Sequence, residues 1–294
     1  MLEFRDVEIK DREIVCDILR RYECKTLEYN FTTLFIWQSV YNIKIAGENG
    51  ILFVSSGADK PSFLFPAAED EEKALAILKK HCAETETAMN FHSLTPEQAD
   101  MLRQLYPKRY RFAEDRDSGD YIYTAEALSE LKGKKLSAKR NHINRFVMGN
   151  PDWRYEFITP ENINDAADMH REWCRLSESA DNSGLAEEGE AVRRALKYFW
   201  QLKLSGGILY AGRKAVAFSI GDELNKNTFL VHVEKAFADI QGAYPMINKQ
   251  FVINNCNGYE FVDREDDAGD EGLRRAKLSY QPYEVVEKFI AREG

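Results

Sequence analysis

The chain has 294 residues, of which 44% are hydrophobic and 30% are charged, and this balance excludes global disorder and a fibrous repeat. The length is too great for one small domain and is typical of two domains of average size. The net charge of −9 argues against a protein that coats nucleic acid or an anionic bilayer through its overall field.

The cysteines and the N-terminus predict a cytoplasmic protein. Five cysteines are scattered along the chain without a CxxC pair, which favours free thiols over a disulfide framework. The N-terminus is charged and lacks the apolar stretch of a signal peptide. No stretch approaches the roughly 18 apolar residues of a membrane span, so we expect no transmembrane segment.

The first half of the chain is predicted to form two short helices, a β-hairpin, and then alternating strands and helices. The helices cover 11–22 and 30–40, and the hairpin strands cover 41–46 and 51–55 around a Gly-Glu-Asn-Gly turn. The remaining elements are a strand at 62–65, a helix at 69–83, a strand at 88–93, a capped helix at 95–106 and a strand at 109–113.

The second half repeats this order of elements without repeating the residues. Helices at 160–177 and 187–204 precede a hairpin of strands at 207–211 and 215–222. Strands at 228–234, 259–262 and 283–289 then alternate with helices at 244–255 and 271–280. Each half would form a twisted mixed sheet flanked by helices, so the predicted class is α+β with domains at 1–150 and 151–294.

A basic segment lies at the predicted domain boundary, because residues 132–151 include no acidic side chain. In a helix over 135–148, two cations share an apolar face, which comprises Leu136, Lys139, Arg140, Ile143 and Val147, whereas Asn141 and Arg145 point away. A cation within an apolar stripe requires a carboxylate, a phosphate or water. We therefore expect Arg140 to be buried against a carboxylate or a bound anion. The alternative is an internal ion pair with the acidic run at 263–271.

That acidic run precedes the predicted helix at 271–280. An EF-hand loop counted from Asp263 would place Ala268 and Arg274 where glycine and glutamate are needed, so an EF-hand is excluded. Within the helix, Lys277 and Tyr280 are three residues apart and share a face. A nearby ammonium favours tyrosinate, so we expect a lowered pKa for Tyr280. The alternative is a buried tyrosine with a satisfied hydroxyl.

Two polar residues share a face of the strand at 228–234. His232 and Glu234 are two residues apart, and either could serve as a general base. The alternative is that both are ordinary residues of a polar strand face. The other histidines show no metal-ligand spacing with cysteine or with one another, so no metal is expected.

The loop after that strand leads into the helix at 244–255, and the N-terminus of such a helix offers unpaired N–H groups to a phosphate. The order of elements resembles the GNAT acyltransferase fold, which carries its acyl donor where two parallel strands splay apart and the next helix begins. Gln241 and Gly242 match part of an acetyl-CoA loop, and Tyr244 follows them. The alternative is a glycine-containing turn with Pro245 at the first helical position.

Two segments resemble the lysylphosphatidylglycerol synthase C-terminal domain family. They are the basic segment at 131–146 and the acidic strand end with its helix at 263–280. The resemblance implies two tandem GNAT-like domains with the active site mainly in the second half. Some members of that family transfer an amino acid from aminoacyl-tRNA to a membrane lipid, and the related peptidoglycan-bridge aminoacyltransferases use the same donor.

The resemblance implies an acyl- or aminoacyltransferase that moves its group from a CoA or tRNA donor to an amine or hydroxyl of a small molecule or lipid. Tyr280 would then protonate the leaving group and Lys277 would stabilise negative charge, with Glu234 or His232 as the base. The candidates for donor or anion binding are Lys139, Arg140, Asn141, Gln241, Gly242 and Tyr244. The alternatives are a CoA-dependent N-acetyltransferase and a non-catalytic GNAT-fold module that binds an anionic partner.

Overall fold

The computed structural model describes residues 1–177 and 183–294. The chain divides into two compact units, neither of which is a single stretch of sequence. Unit 1 comprises Met1–Asp120, Asp266–Asp270 and Val285–Gly294, and unit 2 comprises Tyr121–Glu265 and Glu271–Glu284. Both units combine strands with helices, and the strands form two mixed sheets. The predicted α+β class is confirmed.

The elements of the described chain are numbered in sequence order. The strands are β1 (Arg5–Asp6), β2 (Lys44–Glu48), β3 (Ile51–Ser56), β4 (Ser62–Phe63), β5 (Phe91–Leu94), β6 (Tyr110–Glu114), β7 (Asp120–Thr124), β8 (Arg154–Phe157), β9 (Ser205–Ala211), β10 (Lys214–Asn225), β11 (Thr228–Ala236), β12 (Phe261–Asp263), β13 (Glu284–Val286) and β14 (Phe289–Glu293). The helices are α1 (Arg12–Tyr22), α2 (Phe31–Tyr41), α3 (Glu71–Glu84), α4 (Pro96–Leu105), α5 (Ala125–Glu130), α6 (Ser137–Gly149), α7 (Ile163–Ser177), α8 (Ser183–Lys197), α9 (Phe199–Leu202), α10 (Ala243–Asn255) and α11 (Glu271–Leu278).

The sheet of unit 1 has seven strands in the order β1-β2-β3-β4-β5-β14-β6. Its strands pair antiparallel except for β4 and β5, which run parallel and pair through Phe63 and Phe91. Helix α3 places Leu75 and Leu78 at helical spacing, and both are fully buried in the core of this sheet. The apolar periodicity that predicted this helix therefore also identified the face that it buries.

The sheet of unit 2 also has seven strands, in the order β13-β7-β12-β11-β10-β9-β8. Strands β9, β10 and β11 form a long antiparallel meander, and helices α7 and α10 pack against β10. The parallel pair of β11 and β12 is short, because it extends only from Thr228 with Phe261 to Leu230 with Asp263. This short ladder determines where the candidate site lies.

Each sheet contains one strand that comes from a distant part of the sequence. In unit 1 the C-terminal strand β14 lies between β5 and β6, and in unit 2 the mid-chain strand β7 lies between β12 and β13. The predicted single strand at 283–289 is wrong, because it divides into β13 and β14, which belong to different sheets. Strand propensity is a local signal, whereas this division depends on which sheet each piece joins.

Most other predicted elements are confirmed near their predicted bounds. The predicted cap of α4 is a capping box, in which Thr95 N donates to the Gln98 side chain at 2.9 Å and Gln98 N donates to Thr95 Oγ1 at 3.4 Å. The helix predicted at 187–204 divides into α8 and α9 at Tyr198, and β1, β7, α5 and β8 were missed. The domain boundary at residue 150 was predicted from the repeated order of elements, and it stays a prediction.

A buried ion cluster connects β14 to the rest of unit 1. Lys288 Nζ lies 2.7 Å from Asp120 Oδ1 and 2.8 and 2.9 Å from the two carboxylate oxygens of Glu28. The Lys288 side chain has no exposed surface. Burial disfavours its charge, but the Asp120 and Glu28 carboxylates raise the pKa of Lys288 above its ordinary value. Lys288 therefore stays charged and joins the last strand of unit 1 to residues far away in the sequence.

Replacing Lys288 should destabilise unit 1 strongly. Lys288→Ala leaves Asp120 and Glu28 buried without their cation, and we expect the free energy of unfolding to fall by about 3–5 kcal/mol in urea denaturation. Lys10→Ala is the matched control, because Lys10 forms an exposed ion pair with Glu8 and its loss should cost less than about 0.5 kcal/mol. Equal stabilities for the two variants would contradict the structural role of Lys288.

Candidate functional site

The candidate site of unit 2 lies beyond the end of the short parallel ladder. The last pair is Leu230 with Asp263, but β11 continues to Ala236. Glu234 lies on this extension of β11, and Arg264 follows directly after β12. The ladder therefore ends where the resemblance to the GNAT fold places the donor site.

Five polar side chains form what we call the Glu234 cluster: Glu234, Arg264, Asn248, Lys139 and Tyr280. Arg264 Nη2 donates to Glu234 Oε1 at 2.8 Å, and Asn248 Nδ2 donates to Glu234 Oε2 at 2.8 Å. The side chains of Glu234 and Arg264 are only 12% and 11% exposed. Both oxygens of this nearly buried carboxylate are thus held in place, one from the residue after β12 and one from α10.

Two cations of the cluster lie against the ring of Tyr280. Lys139 Nζ is 3.9 Å from the ring centre and Arg264 Cζ is 4.7 Å from it, which are cation–π distances. Burial and the Arg264 charge lower the pKa of Lys139 to about 8, although Glu234 opposes the shift. Lys139 therefore exchanges its proton nearer to neutral pH than an ordinary lysine does.

Two buried atoms of the cluster have no hydrogen-bond partner within the described residues. They are Arg264 Nη1, which is a donor, and Asn248 Oδ1, which is an acceptor. A buried polar atom without a partner costs free energy, and this cost is repaid where a ligand or water supplies the bond. Each atom belongs to a side chain whose other polar atom binds Glu234. The cluster can therefore offer a polar ligand one donor, one acceptor and the Lys139 ammonium.

His232 lies two residues before Glu234 but is bound to other carboxylates. Its Nε2 is 2.9 Å from Asp222 Oδ1, its Nδ1 is 3.1 Å from Glu265 Oε1, and the ring is fully buried. Burial alone disfavours the charged ring, but Asp222 and Glu265 raise the pKa of His232 to about 10. A ring that donates from both nitrogens cannot accept a proton, so this geometry argues against the predicted role of His232 as a base.

Lys277 and Tyr280 are neighbours in the chain, but the Lys277 ammonium points elsewhere. Lys277 Nζ donates to the carbonyl oxygen of Arg264 and lies 5.6 Å from the centre of the Tyr121 ring. Burial raises the pKa of Tyr280, and the Arg264 charge offsets only part of the shift. The predicted lowering of this pKa is therefore wrong, because Tyr280 is only 5% exposed. The phenol consequently stays protonated at neutral pH and can act as a proton donor.

The buried face of α6 differs from the predicted one. Phe146 is fully buried, whereas Val147, which the apolar periodicity placed on the buried face, is 37% exposed. The buried stripe is therefore rotated toward Lys139, which reaches the Glu234 cluster. The cause is the packing of α6 against the start of α10, where the Phe146 side chain approaches Gly242.

Arg140 and Asn141 lie outside the Glu234 cluster. Arg140 is half-buried, and its guanidinium donates to the backbone carbonyl oxygens of Leu131 and Gly133. These carbonyl groups take the place of the expected carboxylate or anion, because Leu131 ends α5 and leaves its carbonyl free of the helix ladder. Asn141 is exposed. Their predicted roles in anion binding stay predictions.

The start of α10 contains the three candidates of the predicted donor loop. Gln241 is exposed and Tyr244 is 37% exposed. Gly242 precedes the helix with a φ of 84°, and a Cβ at this position would lie 2.1 Å from the carbonyl oxygen of His142 on α6. The N-terminus of α10 is therefore packed directly against another helix.

Two members of the Glu234 cluster were missed by the sequence analysis. Arg264 lies inside the acidic run, and the sequence analysis did not consider it as a separate candidate. Asn248 is 1% exposed on a helix whose neighbouring buried positions, Ile247 and Phe251, are apolar. A polar residue at a buried helical position is the signal that could have identified Asn248.

A family model for the C-terminal region of phosphatidylglycerol lysyltransferase matches residues 19–292. The chain belongs to this family. The resemblance seen in the basic and acidic segments is thereby confirmed. Membership of this family supports a function of the acyl- or aminoacyltransferase type.

Solved structures share the fold of this chain over nearly its whole length. A conserved protein of unknown function from Bacteroides thetaiotaomicron is 35% identical, with a TM-score of 0.94 over 100% of both chains. The C-terminal domain of a candidate lysylphosphatidylglycerol synthetase from Agrobacterium fabrum is 14% identical, with a TM-score of 0.69 over 97% of this chain and 92% of that one. A tandem GNAT protein from the clavulanic acid biosynthesis pathway shares the fold at 10% identity, with a TM-score of 0.51 over 100% and 98% of the chains.

A curated relative covers less of the chain. An uncharacterised protein of Mycoplasmoides gallisepticum is 26% identical over 182 residues, which are 60% of this chain and 56% of that protein. The match thus spans little more than half of the relative's length. In residues 1–177 and 183–294, none of the helices combines the length and hydropathy that crossing a bilayer requires.

The contact between α6 and α10 predicts a large effect of a single methyl group. Gly242→Ala adds a Cβ in contact with the His142 carbonyl, and we expect a loss of unfolding free energy in urea denaturation. Gly258→Ala is the matched control, because Gly258 has a φ of 96° but no atom within 4 Å of the added Cβ. We expect a cost of about 1–2 kcal/mol for Gly258→Ala and about 1–3 kcal/mol more for Gly242→Ala. Equal losses would contradict the close packing at the start of α10.

Proposed function

We propose that the chain transfers an aminoacyl group from aminoacyl-tRNA to an amine or hydroxyl acceptor at the Glu234 cluster. The observation that carries this proposal is that Lys139 and Arg264 lie 3.9 and 4.7 Å from the ring centre of Tyr280. Attack on an ester places negative charge on the carbonyl oxygen, and the leaving oxygen then needs a proton. The cluster combines two cations for the first requirement with a protonated phenol for the second.

In the proposed reaction, each proton has a donor and an acceptor. Glu234 takes the proton of the attacking amine or hydroxyl as the new bond to the acyl carbon forms. The Lys139 ammonium and Arg264 Nη1 stabilise the negative carbonyl oxygen. As the bond from the acyl carbon to the leaving oxygen breaks, Tyr280 gives its proton to that oxygen. The proton held by Glu234 then returns to Tyr280, so the cluster ends in its starting state.

The packing at the start of α10 favours a tRNA donor over CoA. A pyrophosphate at this helix N-terminus would need the space beside Gly242 that the His142 carbonyl and α6 occupy. The basic segment also exposes Lys134, Lys135 and Arg145, which could contact a phosphate backbone. An aminoacyl-tRNA donor agrees with the predicted cytoplasmic location. The name of the family makes lysine and phosphatidylglycerol the first group and acceptor to test.

Tyr280→Phe should reduce the rate of transfer while the fold is retained. The donor in this experiment is lysyl-tRNA carrying labelled lysine, and the acceptor is a vesicle that contains phosphatidylglycerol. The substitution removes only a hydroxyl, and general acid catalysis is worth about 10²–10⁴-fold, so we expect the rate to fall by that factor. Tyr283→Phe is the matched control, because Tyr283 is 67% exposed and its hydroxyl should not affect the rate.

The same experiment distinguishes the other functions. An unchanged rate for Tyr280→Phe would show that Tyr280 is not the acid. Lysyl-tRNA, and not CoA, should raise the melting temperature of the protein, because a ligand that binds only the folded state stabilises it. A rise with CoA, together with acetyl transfer from acetyl-CoA, would support an N-acetyltransferase instead. A rise with lysyl-tRNA without any turnover would support a non-catalytic module that binds an anionic partner.

A further inference from the structure

Two ion pairs connect β11 to the chain after β12, and β11 supplies the cation of one pair and the anion of the other. From β11, the His232 cation binds the Glu265 anion, and two residues later the Glu234 anion binds the Arg264 cation. We propose that His232 is a positioning residue, which holds Glu265 so that the adjacent Arg264 stays in place against Glu234 and Tyr280. The positioning role itself does not depend on the proposed function, and only its consequence for the rate of transfer does.

A β-bulge turns His232 toward Glu265. Ile220 pairs with Val233 and the next residue, Gly221, pairs with Val231, so His232 is an extra residue in β11. A Cβ at Gly221 would lie 2.1 Å from the carbonyl oxygen of Leu230, so the two strands approach closely beside the bulge. The bulge thus fixes where the His232 ring leaves the strand.

The ring of His232 is held from both sides. Asp222 on β10 lies 2.9 Å from its Nε2, and Glu265 lies 3.1 Å from its Nδ1. Both nitrogens can donate only when the ring carries two protons, and a fully buried charged ring is stable only if both carboxylates remain bound. Asp222 therefore anchors the ring to the sheet, and the ring in turn holds Glu265.

The backbone at Arg264 and Glu265 is held from the side of β7 and α11, because Tyr121 N donates to the Glu265 carbonyl oxygen at 3.1 Å and Lys277 Nζ donates to the Arg264 carbonyl oxygen. The ladder with β11 has ended at Asp263, and Glu265 adopts a left-handed φ of 59°. Arg264 N donates to the Tyr121 carbonyl oxygen at 3.1 Å, which fixes the main chain on the side of β7. On the side of β11, the two side-chain pairs connect the segment to the strand. Removing one pair should therefore displace the other.

The pKa of Lys139 reports the position of Arg264 without any substrate. Burial lowers this pKa most, and of the neighbouring charges Arg264 lowers it further and Glu234 raises it. If Arg264 moves away, Lys139 loses a repulsive neighbour while Glu234 and the burial stay, so we expect its pKa to rise. The pKa can be followed by NMR after reductive methylation with ¹³C, and Lys139→Arg assigns the signal.

His232→Gln tests the proposal directly. Glutamine can bind one carboxylate but carries no charge, so we expect the Lys139 pKa to rise above its wild-type value of about 8. His170→Gln is the matched control, because His170 is also a buried imidazole of unit 2 but contacts Phe218 and the Gly189 carbonyl. This control should leave the Lys139 pKa unchanged even if the protein is equally destabilised.

An unchanged Lys139 pKa in folded His232→Gln would overturn the proposal. If that variant does not fold, the isosteric Glu265→Gln provides the same comparison, because the Glu265 side chain is 18% exposed and only its charge is removed. Neither titration requires a donor or an acceptor. A failure of the transfer assay would therefore contradict the proposed function and leave the role of His232 intact. An unchanged Lys139 pKa would contradict the role of His232 and leave the proposed function intact.

Discussion

The early end of the parallel ladder between β11 and β12 is the constraint on which the site of unit 2 depends. Three residue pairs hold the two strands together, and beyond Leu230 and Asp263 side chains replace backbone hydrogen bonds. Charged side chains can hold strands apart at a fixed distance, whereas a continued ladder would close the gap. The Glu234–Arg264 pair therefore belongs both to the architecture and to the proposed chemistry, and Arg264 Nη1 has no hydrogen-bond partner within the described part of the chain.

Unit 1 also uses a buried charge to hold a strand that comes from a distant part of the sequence. Strand β14 comes from the C-terminus and lies between β5 and β6, and Lys288 just before it binds Asp120 and Glu28 without any exposed surface. An apolar residue at position 288 could also be buried, but it would leave the Asp120 and Glu28 carboxylates without a cation. In both units, a buried ion pair fixes a segment that its neighbours in the sequence cannot fix.

The sequence predicted the features that depend on short-range patterns, including the α+β class, most helices and the capped start of α4. It placed Lys139, Glu234 and Tyr280 among the candidates, because helix and strand periodicity show which residues share a face. Their partners depend on burial and on contacts between distant segments. The sequence therefore gave the wrong direction for the Tyr280 pKa, missed Arg264 and Asn248, and left the strand at 283–289 undivided.

The pH dependence of aminoacyl transfer tests the central claim most directly. The Lys139 ammonium must be charged to stabilise the carbonyl oxygen, and its pKa is lowered to about 8. Single-turnover rates of the wild-type protein should therefore fall about tenfold per pH unit as the pH rises above 8, whereas Lys139→Arg should retain its rate up to pH 10, because arginine stays charged. Identical flat profiles for both proteins would contradict the assignment of the active site to the Glu234 cluster.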